Sequence, residues 1–566
     1  MIEQLRAFDT SDLVKKQLPP VMSAPASTPG VVTGAVFAAL TVFPSMLPKN
    51  GLVQGIVLGI TFIVGYGFGA GLQWLWRFLE LPSPRSRVWR FLARVWYLTL
   101  TGLFLFTAWH YVGWQNTARA AFGMESITPF VWLFIVPVAA VVAVLVFIVA
   151  RLLRKLFNLM IHWLDQHLPR RLALLVGGVA FLGLMWGLWS GVMVDGLFAA
   201  ANQILAPLDA STDEGISQPG SANRSGSPTS LVDWETLGRQ GRNFVATGPT
   251  TLELNQFHGG SALEPIRIYV GIKSAETLEE RARLVLEELI RTDAFDRETL
   301  VVATTTGTGK VESNAIDALE YVTKGDVAVA GVQYSYLSSV LSLLADADEV
   351  REASEVVFDT IHSHWSRLPE NSRPELYLYG LSLGAYGVES ILTSIEIINA
   401  PIDGALMVGP PFISGLWARL VADRDPGSTP ATPVYKQGRT VRFTNETSAI
   451  SVPTGEWGDT RVLYLQNASD PVVFFTPSLL LNQPDWLRDG QRSPDIVDGF
   501  VWIPLVTMWQ VLMDAAAAGS VPEGYGHLYS KEANADAWIA VIDPDGWSDT
   551  DTARLKEHLT ELGPAQ

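Results

Sequence analysis

The chain has 566 residues, 48% of them hydrophobic and 17% charged, and a net charge of −17. Residues 1–200 hold 15 Lys and Arg against 7 Asp and Glu, a net of +8; the remaining 25 and 50 leave residues 201–566 at −25. So acidic a second half excludes nucleic acid as a partner, and the lack of cysteine excludes disulfides, thiolate metal sites and a cysteine nucleophile.

In chain order, residues 1–30 form a polar tail without the apolar run of a signal peptide. Five apolar stretches follow, near 31–47, 51–72, 92–113, 130–150 and 172–194. Each has about the length needed to cross a hydrocarbon core of ~30 Å as a helix. The first is the shortest and contains Pro44. The second has Gly51, Gly55 and Gly59 at four-residue spacing, which lets a neighbouring helix approach closely. Basic residues alternate between loops: Arg6, Lys15 and Lys16 in the tail, Arg77, Arg85, Arg87 and Arg90 after the second stretch, and Arg151, Arg154, Lys155, Arg170 and Arg171 after the fourth. The other loops have only Lys49 and Arg119. This alternation predicts a five-span bundle over 31–195, with the tail cytoplasmic and the rest of the chain outside.

Residues 196–240 are expected to be a linker, because 209–230 is rich in Ser, Gly, Pro and Asp with nothing to bury. Beyond it, short apolar runs at 266–270, 300–304, 327–331, 376–380, 402–408 and 461–466 alternate with helical periods at 274–292, 313–323 and 346–368. Strands alternating with helices predict a mostly parallel sheet covered on both faces, in a domain over 241–566. The fifty or so residues before 461 are expected to include a lid-like insertion.

The chemistry starts at Gly380-Leu381-Ser382-Leu383-Gly384, a G-x-S-x-G between a strand and a helix. The turn is so tight that side chains two positions either side of the serine would collide, hence the glycines. It would expose Ser382 Oγ at the sheet edge as a nucleophile. A hydroxyl needs a base, and the base needs an orienting acid. Asp470 follows the strand at 461–466 in the turn Asn467-Ala468-Ser469-Asp470-Pro471 and is the expected acid. Only His527 and His558 come later. His558 lies in a charged helical tail, so His527, in a glycine-rich loop, is the expected base. The oxyanion donors expected are the N–H of Leu383 and those of Thr306 and Gly307 in the loop after 300–304. His258-Gly259-Gly260 imitates an oxyanion motif but precedes the first strand. Pro411, Phe412 and Trp502 are expected around an apolar substrate pocket. No metal and no cofactor are expected.

With these residues in hand, the chain resembles the multi-pass membrane α/β-hydrolases of actinobacteria. The resemblance covers nearly the whole chain. It rests on GRNFVATGP (241–249), PIRIYVG (265–271), TTGTG (305–309), GDVAVAGVQYSYLSS (325–339), RPELYLYGLSLGA (373–385), GPPF (409–412), LQNASDP (465–471) and GYGH (524–527). It implies an envelope hydrolase of the α/β-hydrolase fold with Ser382, Asp470 and His527 as its triad, membrane lipids as neighbours and an ester of an envelope lipid or acylated sugar as substrate. Lys310 stands where the family pattern has an aromatic residue. Acyl transfer would use the same residues, and a scaffold that keeps the fold without activity is the alternative from another class.

Overall fold

The computed structural model describes residues 27–81, 87–189, 209–337 and 347–563. The tail to residue 26, the loop carrying Arg85, residues 190–194 of the fifth expected span and 196–208 of the expected linker lie outside them. The chain divides into two compact units. One comprises residues 1–187, 476–483 and 496–517; the other comprises 188–475, 484–495 and 518–566.

The first unit is helical, with α1 (Thr28–Leu40), α2 (Gly51–Phe78), α3 (Arg87–Ala121), α4 (Trp132–Asp165) and most of α5 (Arg170–Trp189). Two described helices, Gly51–Phe78 and Pro129–Asp165, are long and apolar enough to cross a membrane. The glycines of α2 do what their spacing predicts. A Cβ on Gly51, Gly55 or Gly59 would meet Val131, Val138 or Val142 at 3.0 Å or less, so they bring α2 against α4 and its leading turn.

The first expected span needs correction. It is helical only to Leu40, and 13 residues rise about 20 Å, short of a ~30 Å core. Beyond Leu40 the chain runs through turns whose residues, Thr41 to Lys49, are nearly all buried. Their backbone groups are met by side chains. Asp514 accepts from the N–H of Met46 and Leu47, Gln115 accepts from that of Lys49, and Gln54 and Gln510 donate to the carbonyls of Thr41 and Phe43. Lys49 and Asp514, both buried, form an ion pair at 2.5 Å, with the Ser45 hydroxyl against both. Asp514 and Gln510 lie on the helix Thr507–Ala516, far along the chain. The expected contiguous boundary of the second domain at 241–566 therefore gives way: residues 476–483 and 496–517 fold with the first unit.

The second unit contains α6 (Gly238–Ala246), β1 (Ile266–Val270), α7 (Leu278–Arg291), β2 (Thr299–Thr304), α8 (Ser313–Val322), β3 (Val327–Val332), α9 (Ala347–Trp365), β4 (Glu375–Leu381), α10 (Leu383–Leu392), β5 (Gly404–Val408), α11 (Gly415–Ala422), β6 (Val441–Thr444), β7 (Arg461–Leu465), α12 (Lys531–Ile542) and α13 (Asp549–Leu562). All seven strands are parallel, in the order β1-β3-β2-β4-β5-β7-β6. The central strands are buried along almost their whole length, as both-face coverage requires. The stretch expected to carry a lid contains α11 and the edge strand β6. Four residues including Arg442 make too short and too polar a run to read as a strand.

Residues 209–230 are not a free linker. Ser225 bridges to β1 through its N–H on the Arg267 carbonyl at 3.1 Å, and Arg224 donates to the carbonyls of Val245 and Thr247. Buried Glu288 accepts from the hydroxyls of Ser225 and Ser230, the N–H of Leu231 and the Arg291 guanidinium. The segment's polarity, read as nothing to bury, serves instead to satisfy a buried carboxylate. A second buried charge ties β1 to α8: Arg267 grips Glu320 through two nitrogens at 2.7 and 2.9 Å and reaches Asp317 at 2.8 Å.

Helix α10, which leaves the G-x-S-x-G turn, is anchored by Glu389. This buried carboxylate accepts from the N–H groups of Leu416 and Trp417 at the start of α11 and from the Tyr464 hydroxyl. Burial pushes it up to about 7, against the pull of the Tyr464 hydroxyl and the two N–H groups. A raised carboxyl stabilises the fold fully below its unfolded value near 4.5, and that contribution is lost as pH rises towards about 7. The span corresponds to about 3 kcal/mol. Glu389→Gln should therefore flatten the fall in melting temperature between these two pH values, read by thermal unfolding of the detergent-solubilised protein. A slope identical to wild type would remove Glu389 as its source.

Candidate active site

β4 ends at Leu381 and α10 starts at Leu383, so Ser382 is the single residue of the turn between them. Its φ of 57° and ψ of −121° are strained for a side chain with a Cβ. The surroundings enforce them. The Ser382 N–H donates to the Val408 carbonyl at 2.9 Å, a Cβ on Gly380 would collide with the Gly384 carbonyl, and one on Gly384 would collide with the Thr304 carbonyl at the end of β2. The steric reason inferred for the two glycines is thus met by particular atoms. Ser382 is 5% exposed and stands at the N-terminus of α10, whose dipole favours negative charge.

Asp470 follows β7 and caps the short helix Pro471–Phe474. It is fully buried. One carboxylate oxygen accepts from the Val472 N–H at 2.8 Å; the other accepts from His527 Nδ1 at 2.6 Å and from the Tyr529 hydroxyl at 2.7 Å. With Nδ1–H donating to the carboxylate, the imidazole keeps Nε2 as an acceptor. Nε2 is buried and makes no hydrogen bond among the described residues. The ring rests on Gly409, where an added Cβ would come within 2.7 Å of it; Gly409 directly follows Val408, which holds the Ser382 N–H. Backbone at the end of β5 thus connects the serine turn to the histidine. Catalytic hydrogen bonds are often loose until substrate arrives.

Three supporting residues escape a reading of the sequence. Tyr529, two positions after His527, shares Asp470 with it. Burial and the adjacent Asp470 carboxylate hold its phenol well above the ordinary value, so it stays a donor. Asn467 Nδ2 donates to the Gly526 carbonyl at 3.3 Å, and Ser469 Oγ accepts from the Gly526 N–H at 3.1 Å. The turn that carries Asp470 therefore clamps the loop that carries His527, on both sides of Gly526. The alternation of Asn467 and Ser469 before Asp470 was the available signal. Asp495, a rival for the acid, accepts from the Ser469 N–H instead.

The remaining expectations divide. Leu383 N–H opens α10, the position expected of an oxyanion donor. Thr306 is corrected: its N–H donates to the Lys310 carbonyl at 3.0 Å, closing the loop on itself, so it is not free for an oxyanion. Gly307 is the next residue of that loop. Pro411 is buried, and Phe412 donates its N–H to the Val472 carbonyl and packs edge-on against Phe475 at 4.8 Å, beside the acid turn. Trp502 belongs to the first unit, where its indole donates to the Leu479 carbonyl. His258 Nε2 meets the Tyr321 carbonyl at 2.8 Å, and His558 Nε2 meets the Tyr321 hydroxyl at 2.9 Å. His558 is thus a packing residue, not the solvated one its charged helix suggested. No group of three or more His, Asp or Glu among the described residues could hold a metal ion.

A family model described as "Alpha/beta-hydrolase family" matches residues 266–555, and one described as "Alpha/beta-hydrolase family N-terminus" matches residues 40–249. Neither a curated protein nor a solved structure matches the chain.

Because Tyr529 supplies one of the three hydrogen bonds that this fully buried carboxylate accepts among the described residues, Tyr529→Phe should cost about 1–3 kcal/mol of stability. It should lower turnover of a chromogenic ester roughly tenfold while the protein remains folded, as checked by melting temperature. Wild-type turnover and stability would show that Tyr529 does not brace Asp470.

Proposed function

Because the chain belongs to the α/β-hydrolase family, we propose that it is a membrane-anchored serine hydrolase that cleaves an ester through Ser382, His527 and Asp470. The observation that carries this reading is the 2.6 Å bond from His527 Nδ1 to a buried Asp470, which leaves Nε2 as the proton acceptor. Nε2 takes the Ser382 proton as Oγ attacks the ester carbonyl. The tetrahedral oxyanion is received by the N–H groups of Leu383 and Gly307. Its collapse breaks the ester C–O bond, and the imidazolium returns its proton to the departing alcohol. Water then attacks the acyl-enzyme with the same base. A hydroxyl acceptor in place of water would make the reaction acyl transfer.

Anchoring in a membrane is supported by the first unit. Leu133, Phe134, Val141, Val144, Leu145 and Val149 of α4 are each more than half exposed, a burden in water but not in lipid. Non-helical backbone from Thr41 to Lys49 is buried in protein and satisfied by side chains, the condition for irregular chain in lipid. On this reading the neighbours are membrane lipids, and the basic loops after α2 and α4 orient the hydrolase domain beyond α5 away from the cytoplasm, with no need for α1 to span.

Ser382→Ala and His527→Ala should each lower turnover by roughly 10³-fold or more, and Asp470→Asn by somewhat less. Combining them should add little, since the three act as a unit. Labelling by a fluorophosphonate probe should vanish with Ser382→Ala. Near-normal turnover in His527→Ala would sink the triad.

The orientation has its own test. A reporter active only outside the cytoplasm should work when fused after residue 240 and stay silent when fused near residue 160. The reverse pattern would place the domain inside.

A further inference from the structure

Beside His527 lies a polar cavity of about 230 Å³. It is lined by Lys310, Glu312, Asn314, Glu523, His527 and Asn534, with the ends of β4 and β5 as its floor. At ~30 Å³ per water this is room for about eight waters, or one ligand of monosaccharide size. Its location has a chemical meaning. In ester cleavage the base that activates the serine must later protonate the oxygen of the leaving alcohol. The group held next to the imidazole is therefore the alcohol, and the acyl chain extends elsewhere.

The lining is built to receive hydrogen-bond donors. Asn314 and Asn534 are 5% and 1% exposed, and the side-chain oxygen of each has no hydrogen-bond partner among the described residues. Their orientation is set by the other end of each amide. Asn314 Nδ2 donates to Glu523 and to the Tyr529 carbonyl, both at 3.1 Å, and Asn534 Nδ2 donates to the Ser530 carbonyl at 2.8 Å. Reversing either amide would break those bonds, so two acceptors stay unmet. Buried unmet acceptors are costly, and a ligand hydroxyl relieves the cost once it displaces the thin wall that covers these two oxygens. Two carboxylates add further acceptors: Glu523, and Glu312 in its 2.7 Å pair with Lys310. Lys310 keeps this wall polar.

We infer that this cavity is the subsite for a polyhydroxylated alcohol, so that the substrate is an ester of a polyol of up to monosaccharide size. The inference rests on the hydrolase reading above. Bound there, the polyol presents its ester oxygen to His527 and donates hydroxyl protons to Asn314 and Asn534. A site made to hydrogen-bond hydroxyls rejects an isostere without them, whose binding would bury the same acceptors unmet.

The test uses the full-length protein in detergent with two butyrates of similar shape, glucose 6-butyrate and cyclohexylmethyl butyrate. The ratio of their kcat/KM values should favour the sugar ester in wild type. Asn534→Ala should reduce that ratio about tenfold, chiefly by raising KM for the sugar ester. Asn534 is the cleaner probe, because Asn314 also braces the loop carrying His527. A second measurement needs no variant: glucose should slow fluorophosphonate labelling of Ser382, and cyclohexylmethanol at the same concentration should not. An unchanged ratio in Asn534→Ala, with wild-type melting temperature and Ser382 still labelled, would overturn the polyol subsite alone. Equal effects of glucose and cyclohexylmethanol on labelling would do the same. If Ser382 takes no label and neither ester is cleaved, the hydrolase reading falls and the subsite falls with it.

Discussion

The second unit depends on one steric constraint, the close approach of three backbones at Ser382. β4 must end, reverse within one residue and begin α10 while lying against the end of β2. Two glycines allow it, since a Cβ at Gly380 or Gly384 would strike the carbonyl of Gly384 or Thr304. The serine between them takes a positive φ of 57°, held by its N–H on Val408. Strain of this kind persists only where the surroundings over-determine it. Here the parallel sheet does so, because β2 and β5 flank β4 and fix the floor of the turn. The same register brings the loops after β2, β4, β5 and β7 to one edge. Asp470, after β7, and His527, whose ring rests on Gly409 after β5, are thereby held at the edge that carries Ser382.

Across the second unit buried carboxyl groups are each met by several hydrogen-bond donors. Asp470 takes three donors, Glu389 three and Glu288 a guanidinium with three further donors. Arg267 saturates Glu320 from within β1. An unpaired buried charge would cost several kcal/mol, so each of these groups commits its neighbours to one arrangement. The His527 loop is an instance. It is held at Gly526 by Asn467 and Ser469, at Tyr529 by Asp470, and at Ser530 by Glu446. The imidazole is positioned by the loop's bonds as much as by its own. Asn314 and Asn534, whose amide oxygens lack a partner among the described residues, line the cavity beside this loop.

The first unit shows where a pattern of apolar residues runs out. The spacing of Gly51, Gly55 and Gly59 correctly implied a close helix neighbour, because small residues at four-residue spacing can only form one face. The end of α1 at Leu40 was legible only as the Pro44 that interrupts the run. Residues 41–47 are as apolar as a helix would be, and their turns persist because Asp514, Gln510 and Gln115 satisfy the backbone. Two of those side chains lie more than 450 residues away in sequence, so no local window contains the reason.

For the parallel sheet and the sharp turn between β4 and α10, the sequence alone was sufficient. Buried parallel strands are continuous apolar runs, and glycines on both sides of one residue between a strand and a helix mark a sharp reversal. The edge strand β6 was missed because a four-residue strand with an arginine leaves no such run. The segment 209–230 was misread because hydrophobic patterning does not register serines that serve a buried carboxylate. Thr306 was assigned an open N–H that its own loop closes. Tyr529, the clamp on Gly526 and the polar cavity beside His527 were decided by tertiary structure alone. Each depends on which side chains meet across distant loops, and hydrogen-bond partnership, unlike burial, has no period along a chain.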